Sequence, residues 1–313
     1  MSNPPPIVNG TPTNGDFSSV GTLIVDYGNS SHLICTGTLV YENIVITAGH
    51  CSQQIDALLS DALPVYFIFD ENIDIQNMDY TNEILVSHTI VHPLIDVNLN
   101  HDISLVFLEQ STDIVPSNMS LSVPDLTWQN IPFTFVGSGN TSELGNDEGV
   151  KRIAEIPYYD NDDMFHYAID LSGTTTTNLC YGDSGGPMFR RNDDDSFHLI
   201  GVNSFVFSIT DEDLPCTQGG TGSIRIDQYA QWIAEEMNVD FDCIFDEDRT
   251  ASDDCSLNDN HDSEECKDDD CHEYLDTVQE DIPQTGCQQT PSLLESGIGI
   301  SILILCIRNR CVL

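Results

Sequence analysis

The sequence predicts an all-β protein, a sandwich or a pair of antiparallel barrels, with one helix near the end of the folded part and a poorly ordered acidic tail beyond it. Three observations lead there. Short β-branched and aromatic runs recur from residue 20 to about residue 202, split by Gly, Pro and Asn. Only one stretch carries a helical apolar period. After residue 239 the apolar runs stop, and Asp and Glu dominate.

Residues 1–6 read as a short extended leader, because Pro4, Pro5 and Pro6 forbid regular pairing. A first set of strands is expected over residues 20–25, 37–40, 43–47, 63–69 and 103–108. Residues 109–130, with Pro116 and Pro124 and few periodic apolar positions, read as a linker. A second set follows over 133–136, 152–156, 165–169, 187–189 and 198–202. Asp227 stands where it can cap a helix over 228–237, in which Tyr229, Trp232, Ile233 and Met237 share one face. That helix is expected to pack on the second set as a lid.

The chain of 313 residues carries a net charge of -43, from 52 acidic and 9 basic residues. Such a surface has nothing to neutralise a phosphate backbone, so nucleic acid is excluded as a partner. Residues 240–281 hold 18 Asp or Glu against Arg249 and Lys267, and self-repulsion keeps such a segment from forming an apolar core. Asp253, Asp254, Asp259, Asp262, Glu264, Glu265 and Asp268 to Asp270 offer the hard oxygens that calcium takes. They lack an Asp-x-Asp-x-Asp-Gly loop with its terminal glutamate. Residues 240–292 are therefore read as a solvated, crosslinked spacer, with calcium as the ion its oxygens suit. Residues 293–313 differ again: an apolar run over 297–307 is followed by Arg308 and Arg310. It is too short to cross a bilayer core of about 30 Å as a helix. A sorting or anchoring segment, read by sorting machinery and cut near residues 295–300, fits better.

Eleven cysteines suit disulfide stapling in an oxidising compartment, hence a secreted or cell-surface protein. Cys35 and Cys51 flank the strand and turn leading to His50, and Cys180 and Cys216 flank a glycine-rich serine loop. Cys243, Cys255, Cys266, Cys271 and Cys287 crowd the acidic segment, with pairing open. Neither a basic region nor an apolar run follows Met1, so a leader upstream of this sequence, or removed from it, is expected.

The serine loop reads Cys180-Tyr181-Gly182-Asp183-Ser184-Gly185-Gly186-Pro187, a bend that exposes a hydroxyl beside backbone N–H groups. Upstream lie Thr47-Ala48-Gly49-His50-Cys51 and Asn100-His101-Asp102-Ile103. A peptide carbonyl resists attack by a neutral hydroxyl, whose proton must leave as the bond forms. Ser184 would be the nucleophile, His50 the base and Asp102 the group that fixes the imidazole tautomer. The amides of Gly182 and Ser184 would meet the developing oxyanion, an interaction whose loss costs about 2.7–4 kcal/mol. Together the three segments point to acyl transfer far more strongly than any one alone.

Those segments resemble the trypsin-like peptidases of the chymotrypsin family, over about residues 7–237. The resemblance implies a peptidase domain at 7–239 built as two six-stranded antiparallel β-barrels with a C-terminal helix. It also implies peptide-bond hydrolysis through an acyl-enzyme with no cofactor required, a protein or peptide substrate, and a monomer. Ile7-Val8-Asn9-Gly10 resembles the family's mature N-terminus, so cleavage before Ile7 by an activating protease would free an ammonium to pair with Asp183. Pro6 departs from the basic residue usual at that bond, and Gly137-Ser138-Gly139 replaces a family Gly-Trp-Gly. Cys35 with Cys51 and Cys180 with Cys216 match two common family disulfides, while no cysteine lies between 52 and 179. At the pocket base the resemblance places Asn178, which offers Lys or Arg no charge partner. Ser204, Phe205 and Val206 would form its wall and the edge that pairs with an extended substrate. Val206 narrows the mouth and Gly222 leaves the opposite wall open. Small or medium neutral P1 residues are expected. Two other readings are a non-catalytic binding module of the same fold, inactive through failed processing, and a surface attachment protein working through its acidic tail.

Overall fold

The structure is a computed structural model and describes residues 7–75, 82–172, 176–245 and 311–312. The leader, the calcium-suited oxygens, the tail cysteines from Cys255 to Cys306 and the apolar run at 297–307 lie outside the described residues.

Two closed antiparallel barrels of six strands carry the fold. The first contains β2 (Val20–Asp26), β3 (Ser31–Tyr41), β4 (Ile44–Thr47), β5 (Val65–Ile68), β6 (Glu83–Val91) and β7 (Ser104–Leu108), hydrogen-bonded in the order β2-β3-β4-β7-β6-β5 and back to β2. The second contains β8 (Pro132–Gly137), β9 (Arg152–Asn161), β10 (Phe165–Ala168), β11 (Pro187–Arg191), β12 (Phe197–Ser208) and β13 (Gly219–Arg225). Its order is β9-β10-β13-β12-β11-β8, closed by β8 on β9. Two short strands join it: β1 (Thr11–Pro12) lies on β9, and β14 (Cys311–Val312) lies on β12. Segment 109–130 passes between the barrels as expected, with a 3-10 turn at Leu126–Trp128 capped by the Asp125 carboxylate.

Three helices are present among the described residues, not one. The twelve-residue α1 (Gly49–Ser60) follows β4 directly, and its buried positions are Gly49, Cys51, Ser52 and Ile55. With one large aliphatic among them, it shows no apolar stripe to read. α2 (Ala230–Met237) is the expected lid, burying Ala230, Ile233, Ala234 and Met237. Asp227 does not cap it, because its carboxylate is held by Arg225 Nη2 at 2.6 Å and Nε at 3.0 Å. A short α3 (Phe241–Phe245) follows. Besides the two-residue β1 and β14, two barrel strands were also missed. In β6 most positions are partly or fully exposed, and β13, Gly-Gly-Thr-Gly-Ser-Ile-Arg, reads as a turn yet is buried throughout.

The second barrel is pinned to the first through a buried cation. Lys151, fully buried, donates to the Phe69 carbonyl at 3.0 Å and pairs with Glu71 at 3.1 Å. Glu71 also accepts from the Thr13 hydroxyl, which ties in the N-terminal segment. Burial pushes the Lys151 ammonium down and Glu71 resists that.

Candidate active site

The site lies where the loops of the two barrels meet. His50 stands in the first turn of α1, immediately after Ala48 leaves β4 in extended conformation. Its backbone N–H donates to Asp102 Oδ1 at 2.7 Å, and its Nδ1 meets Asp102 Oδ2 at 2.8 Å. One carboxylate therefore fixes both the ring and the backbone that carries it. Since the carboxylate only accepts, Nδ1 holds the proton, which leaves Nε2 as acceptor toward Ser184 Oγ at 2.9 Å. Asp102 is fully buried and takes a further bond from Ser204 Oγ at 2.5 Å. Preceding it, His101 sits in left-handed backbone (φ 56°), its ring bonded to Tyr229 Oη at 3.0 Å and stacked on His92. Burial and the neighbouring His101 hold His92 below its ordinary pKa.

The serine loop is set against the first barrel by Thr36, whose N–H donates to the Ser184 carbonyl at 2.8 Å and whose hydroxyl donates to the Gly182 carbonyl at 2.9 Å. No signal near the serine motif in sequence marks Thr36, because β3 meets the loop only in the folded chain. Gly182 has φ +97°, and a side chain there would press on Gly139 and Leu33. With its carbonyl drawn to Thr36, the N–H sides of Gly182 and Ser184 belong to the same short bend.

Asp183 is fully buried. Its carboxylate accepts from the Gly139 N–H at 2.8 Å and the Cys180 N–H at 2.9 Å, and a side chain at Gly137 would land on it. Burial pushes its pKa up to about 7, against those two amides and the charge of Arg152, which faces Gly137 across β8 and β9. Ile7 is fully buried, and Val8 bridges Asn178. The direct partners of the Asp183 carboxylate are those two backbone amides, and the N-terminal segment reaches the chain before the serine loop through Val8 and Asn178. Ser138, standing in place of the family tryptophan, accepts from Thr22 Oγ1 at 2.8 Å.

Both named disulfides form, Cys35 with Cys51 beside His50 and Cys180 with Cys216 beside the serine loop. Among the described residues the one His/Cys group close enough to hold a metal is Cys35, His50 and Cys51, whose sulfurs are consumed by that disulfide.

Of the residues assigned to the pocket, Phe205 lies against Gly222, and Asn178 is held at Pro215. Asn178 Nδ2 donates to the Pro215 carbonyl at 2.8 Å, which fixes the amide's orientation, and its buried Oδ1 has no hydrogen-bond partner among the described residues. Gly222 does not leave an open wall: the Phe205 ring lies over it and fills the room a side chain would take. Ser204 does more than line a wall, because its hydroxyl is spent on Asp102.

Known proteins agree with this arrangement. The family model described as Trypsin matches residues 7–233. The chain is similar to serine proteinase stubble of Drosophila melanogaster, 30% identical over 230 residues that cover 67% of this chain and 28% of that protein. Proclotting enzyme of Tachypleus tridentatus is 26% identical over 249 residues, 71% of this chain and 64% of that protein. Chymotrypsin-like elastase family member 3B of Macaca mulatta is 25% identical over 235 residues, 69% of this chain and 87% of that protein. With the family model spanning most of the chain and the barrels, disulfides and His50–Asp102–Ser184 contacts in place, this protein belongs to the trypsin family of serine peptidases.

Proposed function

We propose that the chain is a serine endopeptidase working through an acyl-enzyme, with residues 7–239 as its peptidase domain. The observation that carries this is the hydrogen-bonded line from Ser184 Oγ through His50 to Asp102, at 2.9 Å and 2.8 Å. As Ser184 attacks the carbonyl carbon of the scissile bond, His50 Nε2 takes its proton, and the buried Asp102 stabilises the imidazolium. The oxyanion is received by the Gly182 and Ser184 amides. His50 then returns the proton to the leaving amine, and a water repeats the sequence to release the acyl group.

Processing before Ile7 is part of this reading. An ammonium delivered to Asp183 would offset the burial that raises its pKa. For specificity, the uncharged Asn178 disfavours Lys and Arg at P1. Its unpartnered Oδ1 favours a neutral P1 side chain that can donate one hydrogen bond. An extracellular site of action, supported by the two disulfides, and an activating protease complete the proposal.

The test is a fluorophosphonate probe applied to protein beginning at Ile7. Labelling of that protein and none of Ser184→Ala is the expected result. Failure of both to label would leave a protease-like binding module instead.

A further inference from the structure

β12 pairs with β11 along its first half, from Phe197 to Val202, and with β13 from Gly201 onward. β11 reaches it no further than Val202, opposite Pro187, whereas β13 follows it to Ser208. The register shifts between Asn203 and Phe205, and beyond that point the side vacated by β11 is an edge that begins next to Ser204. Backbone groups on such an edge invite an added strand. In this structure the added strand is the chain's own: β14 runs antiparallel to β12, with Cys311 opposite Val206 and Val312 opposite Phe205. Both belong to the same compact unit.

Direction matters here. From Cys311 to Val312 the added strand runs from Val206 toward Ser204, whose hydroxyl rests on Asp102. A peptide delivering its scissile carbonyl to Ser184 along this edge must travel the same way. Ser184, Ser204, Phe205 and Val206 are each 0% exposed, so the edge as it stands has no open face for a polypeptide. Charge also favours retention, because Arg308 and Arg310 precede β14 in a chain of net charge -43.

We propose that β14 is an intramolecular occupant of the substrate-pairing edge, competing with substrate until it is cut away or displaced. The proposal rests on the peptidase reading above. Any cleavage upstream of β14 then becomes an activating step, separate from the one before Ile7. A two-residue strand binds weakly by itself, but tethering supplies an effective concentration on the order of millimolar. The expected competition is therefore modest, about 2–10-fold, and falls on KM rather than kcat.

The experiment compares the full chain, the chain ending at residue 310, and Val312→Pro, which keeps the length but removes an N–H and disfavours a paired strand. Each is processed to begin at Ile7; one portion is titrated with a fluorophosphonate to count active sites, and an unlabelled portion is assayed on a neutral peptide substrate. Hydrogen exchange is followed at the amides of residues 205–207. The two altered chains should show KM lowered about 2–10-fold, unchanged kcat, and faster exchange at those amides, with the full chain approaching them at high salt. If the chains titrate as active but their KM values are equal, or if exchange does not change, the proposal alone is overturned. If no chain labels, the peptidase reading falls and takes this proposal with it.

Discussion

Asp183 makes the unprocessed chain's stability depend on pH in a way that cleavage before Ile7 should abolish. Its pKa stands at about 7 in the fold against an ordinary 3.8, which corresponds to about 4 kcal/mol in favour of the protonated form. Between those two values the folded protein holds a proton that the unfolded chain has lost. Stability therefore falls as pH rises through this window, and the cost is complete above pH 7. On the processing proposal, the new ammonium of a chain beginning at Ile7 would give the carboxylate an opposite charge and return its pKa toward the usual range. The other carboxylates are common to both chains, so the difference between the two chains isolates this group. Urea unfolding at pH 5, 6 and 7, above the pI of about 4.1, is the assay. The processed chain should be the more stable, and its advantage should grow by about 2 kcal/mol from pH 5 to pH 7. An advantage that does not change with pH, or a more stable unprocessed chain at pH 7, refutes the reasoning.

Asn178→Asp should raise kcat/KM for Lys and Arg at P1 by about tenfold or more, since a carboxylate can pair with those cations; a substrate library showing no gain removes Asn178 from the pocket base. Ser204→Ala should leave the fold intact but lower kcat by the loss of one hydrogen bond to a buried carboxylate, about 1.5–3 kcal/mol. An unchanged kcat would show that Asp102 is held well enough by His50 alone. Lys151→Ala should cost about 2–3 kcal/mol in urea unfolding, because it empties a buried site and leaves Glu71 unpaired, whereas Lys151→Met should cost about 1 kcal/mol or less. Equal losses for the two would mean that the charge, not the packing, dominates there.

The segments around His50, Asp102 and Ser184 were legible because each carries its chemistry locally, in a glycine-bent serine loop and two short motifs. The strands were legible wherever β-branched runs end in turns, as at β2, β4 and β7. Other elements gave no such signal. β13 has almost no side chains to read, and its place in the barrel depends on Phe205 lying over Gly222. α1 follows from β4 running directly into the His50 turn, not from an apolar stripe. Thr36, Lys151 with Glu71, the Ser204 hydroxyl and the occupied edge of β12 all join residues far apart in sequence. The sequence by itself, through the family it resembles, determined the family, the two-barrel fold and the two disulfides, and it named the three residues that the fold joins in one hydrogen-bonded line. Only the tertiary structure decided which backbone amides hold Asp183, what rests on Asp102 and what lies along the edge beside it, because these follow from barrel closure and register, which no local run of residues encodes.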